Sequence, residues 1–87
     1  MCKHVYYSGR VQGVGFRYTA QQIAQRFPIA GFVRNLPGGE VELVAEGEAA
    51  AVEGFLSALA ARMSENISTT RIEDEAPGGH QDFNVRY

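Results

Sequence analysis

Residues Gly31 to Gly47, GFVRNLPGGEVELVAEG, read as two short strands folded about a turn. Pro37, Gly38 and Gly39 supply the turn, proline by its fixed φ and glycine by its tolerance of positive φ. The following segment, Glu40 to Gly47, alternates with a period of two: Val41, Leu43 and Ala45 face a core, while Glu40, Glu42 and Glu46 face a wet sheet surface. The preceding segment, Ala30 to Asn35, is the partner strand of a hairpin.

A helical pattern lies on either side. Phe16, Ala20, Ile23, Ala24 and Phe27 recur at helical spacing, and Pro28 stops the run. From Glu48 to Asn66, Val52, Phe55, Leu56, Leu59 and Met63 form a second apolar stripe, with Glu48 and Glu53 early and Arg62 late, as the helix dipole favours. Outside the helices lie a first strand, His4 to Val11, with Val5, Tyr7, Gly9 and Val11 on one face, and a fourth, Ile67 to Glu73. Tyr6 and Tyr7 therefore point to opposite faces, one to the core and one outward. DEAPGGHQ, Asp74 to Gln81, is a loop, and Asp82 to Tyr87 a terminal strand with Phe83, Val85 and Tyr87 on one side.

The order is strand–helix–strand twice over, then one more strand. Two right-handed crossovers place both helices on one face of a single sheet. The predicted fold class is α+β: a ferredoxin-like βαββαβ two-layer sandwich, mostly antiparallel, with an extra C-terminal strand. The 87 residues suffice for one small domain, 1–87, with an ordinary globular composition of 45% hydrophobic and 21% charged residues.

A formal net charge of −2 argues against binding a nucleic-acid backbone, which requires clustered Lys and Arg. Cys2 is the only cysteine, so no intrachain disulfide forms, in keeping with a reducing cytoplasm. No apolar run approaches the roughly 20 residues of a membrane span, and the N-terminus lacks the apolar centre of a secretory signal. The expectation is a cytoplasmic monomer.

Between the first strand and the first helix stands SGRVQGVGFR, Ser8 to Arg17, with three glycines and two arginines. Gly13 and Gly15 allow successive amides to form a concave nest, the helix N-terminus adds free N–H groups, and Arg17 offers a planar charged fork. Such parts suit a small dianion such as a phosphoryl group. Steric demands of a tight strand-to-helix connection account for the glycines equally well, and both readings stand on the loop alone. The loop has neither a Walker signature nor the third glycine of a dinucleotide fingerprint, where Tyr18 stands.

Two motifs carry a resemblance. GRVQGVGFR matches a glycine, a variable residue and V-Q-G-V-x-F-R through Val11, Gln12, Gly13, Val14, Phe16 and Arg17. Gly31, Phe32, Val33, Asn35, Gly39, Val41 and Glu42 match G-[WF]-V-x-N-x-x-D-G-x-V-E. Together they closely resemble the acylphosphatase family, enzymes that hydrolyse carboxyl–phosphate mixed anhydrides on this same sandwich fold. The resemblance covers essentially the whole chain. It implies that the backbone of Gln12, Gly13, Val14, Gly15, Phe16 and Arg17 cradles a substrate phosphate, that the Arg17 guanidinium binds it too, and that Asn35 orients the attacking water. It implies a small acyl phosphate as substrate and no cofactor or metal. Gly38 departs from the family's usual aspartate at the hairpin turn, which bears on loop rigidity.

Competing sites are weak. Cys2 and His4 share a strand face, but with His80 in a distant loop they form no tetrahedral ligand set. Cys2 has no partner base for a nucleophilic role. Glu73, Asp74 and Glu75 read as a solvated acidic loop. The alternative function is a non-catalytic ferredoxin-like module for RNA or a phosphate-containing ligand, although the aromatic and basic signature of RNA-recognition domains is missing. A further alternative, the accessory domain that opens hydrogenase-maturation carbamoyltransferases, carries a similar loop, but usually with proline where Tyr18 stands.

Overall fold

The computed structural model describes residues 1 to 87. Five strands and two helices follow in the order β1 (Cys2–Gly9), α1 (Phe16–Ala24), β2 (Ile29–Asn35), β3 (Val41–Gly47), α2 (Ala49–Arg62), β4 (Ile67–Asp74) and β5 (Phe83–Arg86). They build one sheet in the order β4-β1-β3-β2-β5. Every neighbouring pair is antiparallel except β2 and β5, which run parallel. The hairpin pairs Ile29 with Gly47 at its open end and Asn35 with Val41 beside the turn. This is the ferredoxin-like sandwich with an added edge strand.

One core lies between the sheet and the helices. Val5, Tyr7, Val33, Leu43 and Ala45 come from the sheet, and Phe16, Ala20, Ile23, Val52, Phe55 and Leu59 from the helices. Tyr7 packs on Phe16 at 5.0 Å between ring centroids. The alternation read in β3 thus selects the helix-facing side.

Element ends differ from the sequence reading where tertiary contacts decide them. The stripe of α1 continues to Phe27, but the helix ends at Ala24. Arg26 and Phe27 donate instead to the carbonyls of Ile23 and Ala24, tightening the chain into a short turn before Pro28. Phe27 still reaches the core edge, 6.3 Å from Phe55. Likewise α2 stops at Arg62, and Asn66 and Ile67 both donate to the Met63 carbonyl in a turn. Strand β1 is shifted two residues toward the N-terminus. Val11 is buried, but it lies beyond the strand, because Arg10 exchanges backbone and side-chain hydrogen bonds with Asn66 as the chain leaves the sheet.

The second correction concerns the far face of the sheet. Glu42 points away from the helices as read, yet that surface is not wet: Glu42 is only 6% exposed. Arg34 binds one of its oxygens, and His4 Nε2 lies 2.7 Å from the other. His4 Nδ1 lies 2.8 Å from Glu75, so the imidazole is held between two carboxylates. The segment after β4 folds over this face. Gly78 and Gly79 donate backbone N–H groups to the Glu46 carboxylate at 2.9 and 3.2 Å, and the His80 ring sits 5.8 Å from Phe32. Cys2 is buried against Phe32 and Val44, apart from the His4 cluster's polar contacts. Tyr6, half-buried on the same face, stacks on His4 at 4.7 Å beneath the Arg71 guanidinium. The run Glu73, Asp74, Glu75 is accordingly more than a loop. Its first two residues end β4, and each of the three holds a basic partner: Arg71, Lys3 and His4.

Burial alone would lower the His4 pKa, but hydrogen bonds to Glu75 and Glu42 outweigh it and hold the imidazole above its ordinary 6.5. For Glu42, burial alone would raise the pKa, and hydrogen bonds from His4 and Arg34 bring it below its ordinary 4.5. A raised histidine contributes stability fully below its unfolded pKa and loses it as pH climbs through the folded value. A lowered carboxylate contributes above its unfolded pKa and loses it as pH falls through the folded value. The cluster is therefore most stabilising between the two ordinary values. Urea unfolding followed by circular dichroism should show wild-type stability declining from pH 5.5 to about pH 8.5, and His4→Gln should flatten that decline. An equally steep decline in the variant would show that this cluster is not its source.

Candidate active site

Strands β1 and β2 each pair antiparallel with β3, and β5 runs parallel to β2, so the C-terminal ends of β1, β2 and β5 lie at one end of the sheet. Each delivers something there. The chain leaving β1 becomes the glycine loop, β2 ends on Asn35, and β5 ends on Arg86 beside Tyr87.

Within the loop, Gly13 and Gly15 have φ of 76° and 78°, while Val14 between them, like every non-glycine residue, has negative φ. Alternation of this kind converges neighbouring amides on one point. An L-side chain at either glycine would be strained. Gly15 is also the residue before α1, and no side chain caps the helix. No backbone carbonyl accepts from the amides of residues 12 to 18. The result is a run of free donors at the positive end of a helix.

These donors border a cavity of about 180 Å³. Gly13, Gly15, Phe16 and Arg17 line it from the loop and first helical turn, Val11 and Tyr18 from either side, and Asn35 from the end of β2. Arg17 is the only charged residue in the wall, so the cavity favours an anion. Of the residues assigned to the cradle, Gln12 and Val14 do not line the cavity. Val14 projects outward, and the Gln12 side chain turns to the β2–β3 turn.

Five contacts were not visible in the loop sequence. Gln12 Nε2 donates to the carbonyls of Leu36 and Glu40, both at 2.8 Å, tying the cradle to the turn that follows Asn35. Arg17 Nη1 donates to the Arg86 carbonyl at 3.1 Å. The Arg17 guanidinium also lies 4.8 Å from the centre of the Tyr87 ring, whose hydroxyl is 2.6 Å from that of Tyr18. The arginine is thus held from the far end of the chain, and only the position of β5 beside β2 could have signalled it.

The first strand of this α+β sandwich thus opens into a partner-free amide cradle with one arginine and one asparagine on the wall, the geometry of a small domain suited to an anion. The Acylphosphatase family model matches residues 3–85. An acylphosphatase of Methanothrix thermoacetophila is 41% identical over 88 residues, spanning 100% of this chain and 98% of that protein. The crystal structure of acylphosphatase from Bacillus subtilis superposes with a TM-score of 0.86 at 32% identity, each chain covered in full. The crystal structure of T. kodakarensis HypF contains a similar unit, with a TM-score of 0.85 and 28% identity, over 100% of this chain but 12% of that one. The chain belongs to the acylphosphatase family.

Removing the Gln12 amide should separate the cradle from the Asn35 turn. Two hydrogen bonds of about 1 kcal/mol each are at stake, so Gln12→Leu should unfold at slightly lower denaturant and bind inorganic phosphate about tenfold more weakly by calorimetric titration. Unchanged phosphate affinity would mean that the loop keeps its shape without this tie.

Proposed function

We propose that this protein hydrolyses small acyl phosphates to a carboxylate and inorganic phosphate by direct attack of water. The observation that carries the reading is the cavity itself: free amides, the Arg17 guanidinium and the Asn35 amide share one wall, and no carboxylate shares it. The phosphoryl oxygens sit on the amides of residues 12 to 17 and on Arg17, and Asn35 holds the water in line. The water oxygen bonds to phosphorus as the bond from phosphorus to the acyl oxygen breaks. The carboxylate leaves with that electron pair, and the water's proton passes to a phosphate oxygen.

So few groups suffice because of the leaving group. A carboxylic acid has a pKa of roughly 4, so the carboxylate departs without protonation. What the loose transition state requires is positioning and charge stabilisation. Charge-assisted hydrogen bonds at about 1.5–3 kcal/mol each, several together, supply these. The same reading makes residues 1–87 one acylphosphatase-like domain, acting as a cytoplasmic monomer without metal, cofactor, membrane or nucleic acid. No helix is long and apolar enough to cross a membrane. The far sheet face supports this reading over an RNA-binding module, because Phe32 is buried with the Arg86 guanidinium 3.9 Å from its ring centre, closed to base stacking.

Purified protein in EDTA should hydrolyse benzoyl phosphate, with inorganic phosphate as a competitive inhibitor. Arg17→Ala and Asn35→Ala should each lower kcat/KM by about 10²–10³-fold with unchanged circular dichroism, and Arg17→Ala should also weaken phosphate inhibition. Full activity in either variant would overturn the assigned roles.

A further inference from the structure

The cavity accounts for the phosphoryl end of a substrate and leaves the acyl end without a partner. Yet the apolar groups that this small protein leaves in solvent are not scattered. Five large hydrophobic side chains are exposed, and three of them belong to the loop, the first helical turn or the chain end held against Arg17: Val14 at 41%, Tyr18 at 52% and Tyr87 at 85%. Val14 stands between the two cradle glycines, and Tyr18 lines the cavity directly. Tyr87 lies against Arg17 and meets Tyr18 hydroxyl to hydroxyl at 2.6 Å. The two rings are therefore fixed relative to each other and to the arginine. Exposed rings held in place beside a cavity present an apolar body and a polar tip at low conformational cost, which suits contact with a ligand.

The reaction geometry says what docks. In-line displacement sets the leaving carboxylate away from the attacking water, and the phosphoryl oxygens occupy the amides and Arg17. The acyl group must then leave through the mouth of the cavity, past this rim. The rim offers apolar area and two hydroxyls already bonded to each other. Its one cation, Arg17, is committed to phosphate, and the Arg86 guanidinium lies on the opposite sheet face against Phe32.

We infer that Tyr18 and Tyr87 form the acyl-binding surface, so that Tyr18 sets how strongly the protein discriminates ring-bearing from small acyl groups. The inference rests on the hydrolysis reading above. Tyr18 acts here as a specificity residue, in van der Waals contact with the acyl group.

The test compares kcat/KM for benzoyl phosphate and acetyl phosphate in wild type, Tyr18→Ala and Tyr18→Phe, with the inhibition constant for inorganic phosphate measured in each. The benzoyl-to-acetyl ratio of kcat/KM should fall about tenfold in Tyr18→Ala, mostly through KM for benzoyl phosphate. Tyr18→Phe, which keeps the ring, should retain most of the ratio. Parallel losses on both substrates with a raised phosphate inhibition constant would overturn the inference, showing that Tyr18 only steadies Arg17 through Tyr87. An unchanged ratio in Tyr18→Ala would overturn it as well. A folded wild type that hydrolyses neither substrate would instead overturn the hydrolysis reading, and this inference with it.

Discussion

Helix α1 begins without a capping side chain, at a glycine in the left-handed region, and the site depends on this start. A capped helix would satisfy its own first amides and leave little for a ligand. Here the donors of residues 12 to 18 meet no backbone carbonyl, and the cap is left to whatever anion enters. Stability forgone at the helix start leaves donors free for the proposed ligand, beside a cavity with a single cation on its wall. The rest of the fold can be seen as the means of holding that helix end, Asn35 and Arg17 within reach of one another.

Topology does most of the holding. Placing β3 between β1 and β2 makes the outer two parallel in direction, and adding β5 beside β2 brings a third strand end to the same place. Gln12 then ties the loop to the hairpin turn, and the Arg86 carbonyl fixes the guanidinium of Arg17. A ferredoxin-like sheet has two faces, and in this protein both are occupied. The helices cover one, and a lattice of Arg34, Glu42, His4 and Glu75, with the segment after β4, covers much of the other. Chemistry is left to the end of the sheet.

Much of this was legible in the sequence because it is local. The alternation of Val41, Leu43 and Ala45 and the Pro37–Gly39 turn define the hairpin, and the stripes from Phe16 and Val52 define the helices. Within the site, Gly13, Gly15, Phe16, Arg17 and Asn35 all meet at the cavity. What escaped is what needs a distant partner. Phe27 continues a helical stripe that the chain abandons, since its ring reaches the core from a turn. Glu42 obeys the outward alternation, and only the folded chain shows it buried between His4 and Arg34. Alternation distinguishes helix side from far side, not wet from dry. Gln12 was assigned through its backbone, while its side chain binds across 24 and 28 residues of sequence. The hold of Arg86 and Tyr87 on Arg17 spans the chain and has no local signature.

The last strand has a consequence for inactivation. β5 is four residues long, lies at the sheet edge and pairs only with β2. Short edge elements with one neighbour open at a lower free energy than the whole domain. Each such opening withdraws the Arg86 carbonyl and the Tyr87 ring from Arg17, and with them Phe83 and Val85 from the edge of the core. On the role proposed for Arg17, warming should therefore silence the enzyme before it melts the fold, and the gap between the two temperatures measures how firmly one edge strand is fastened.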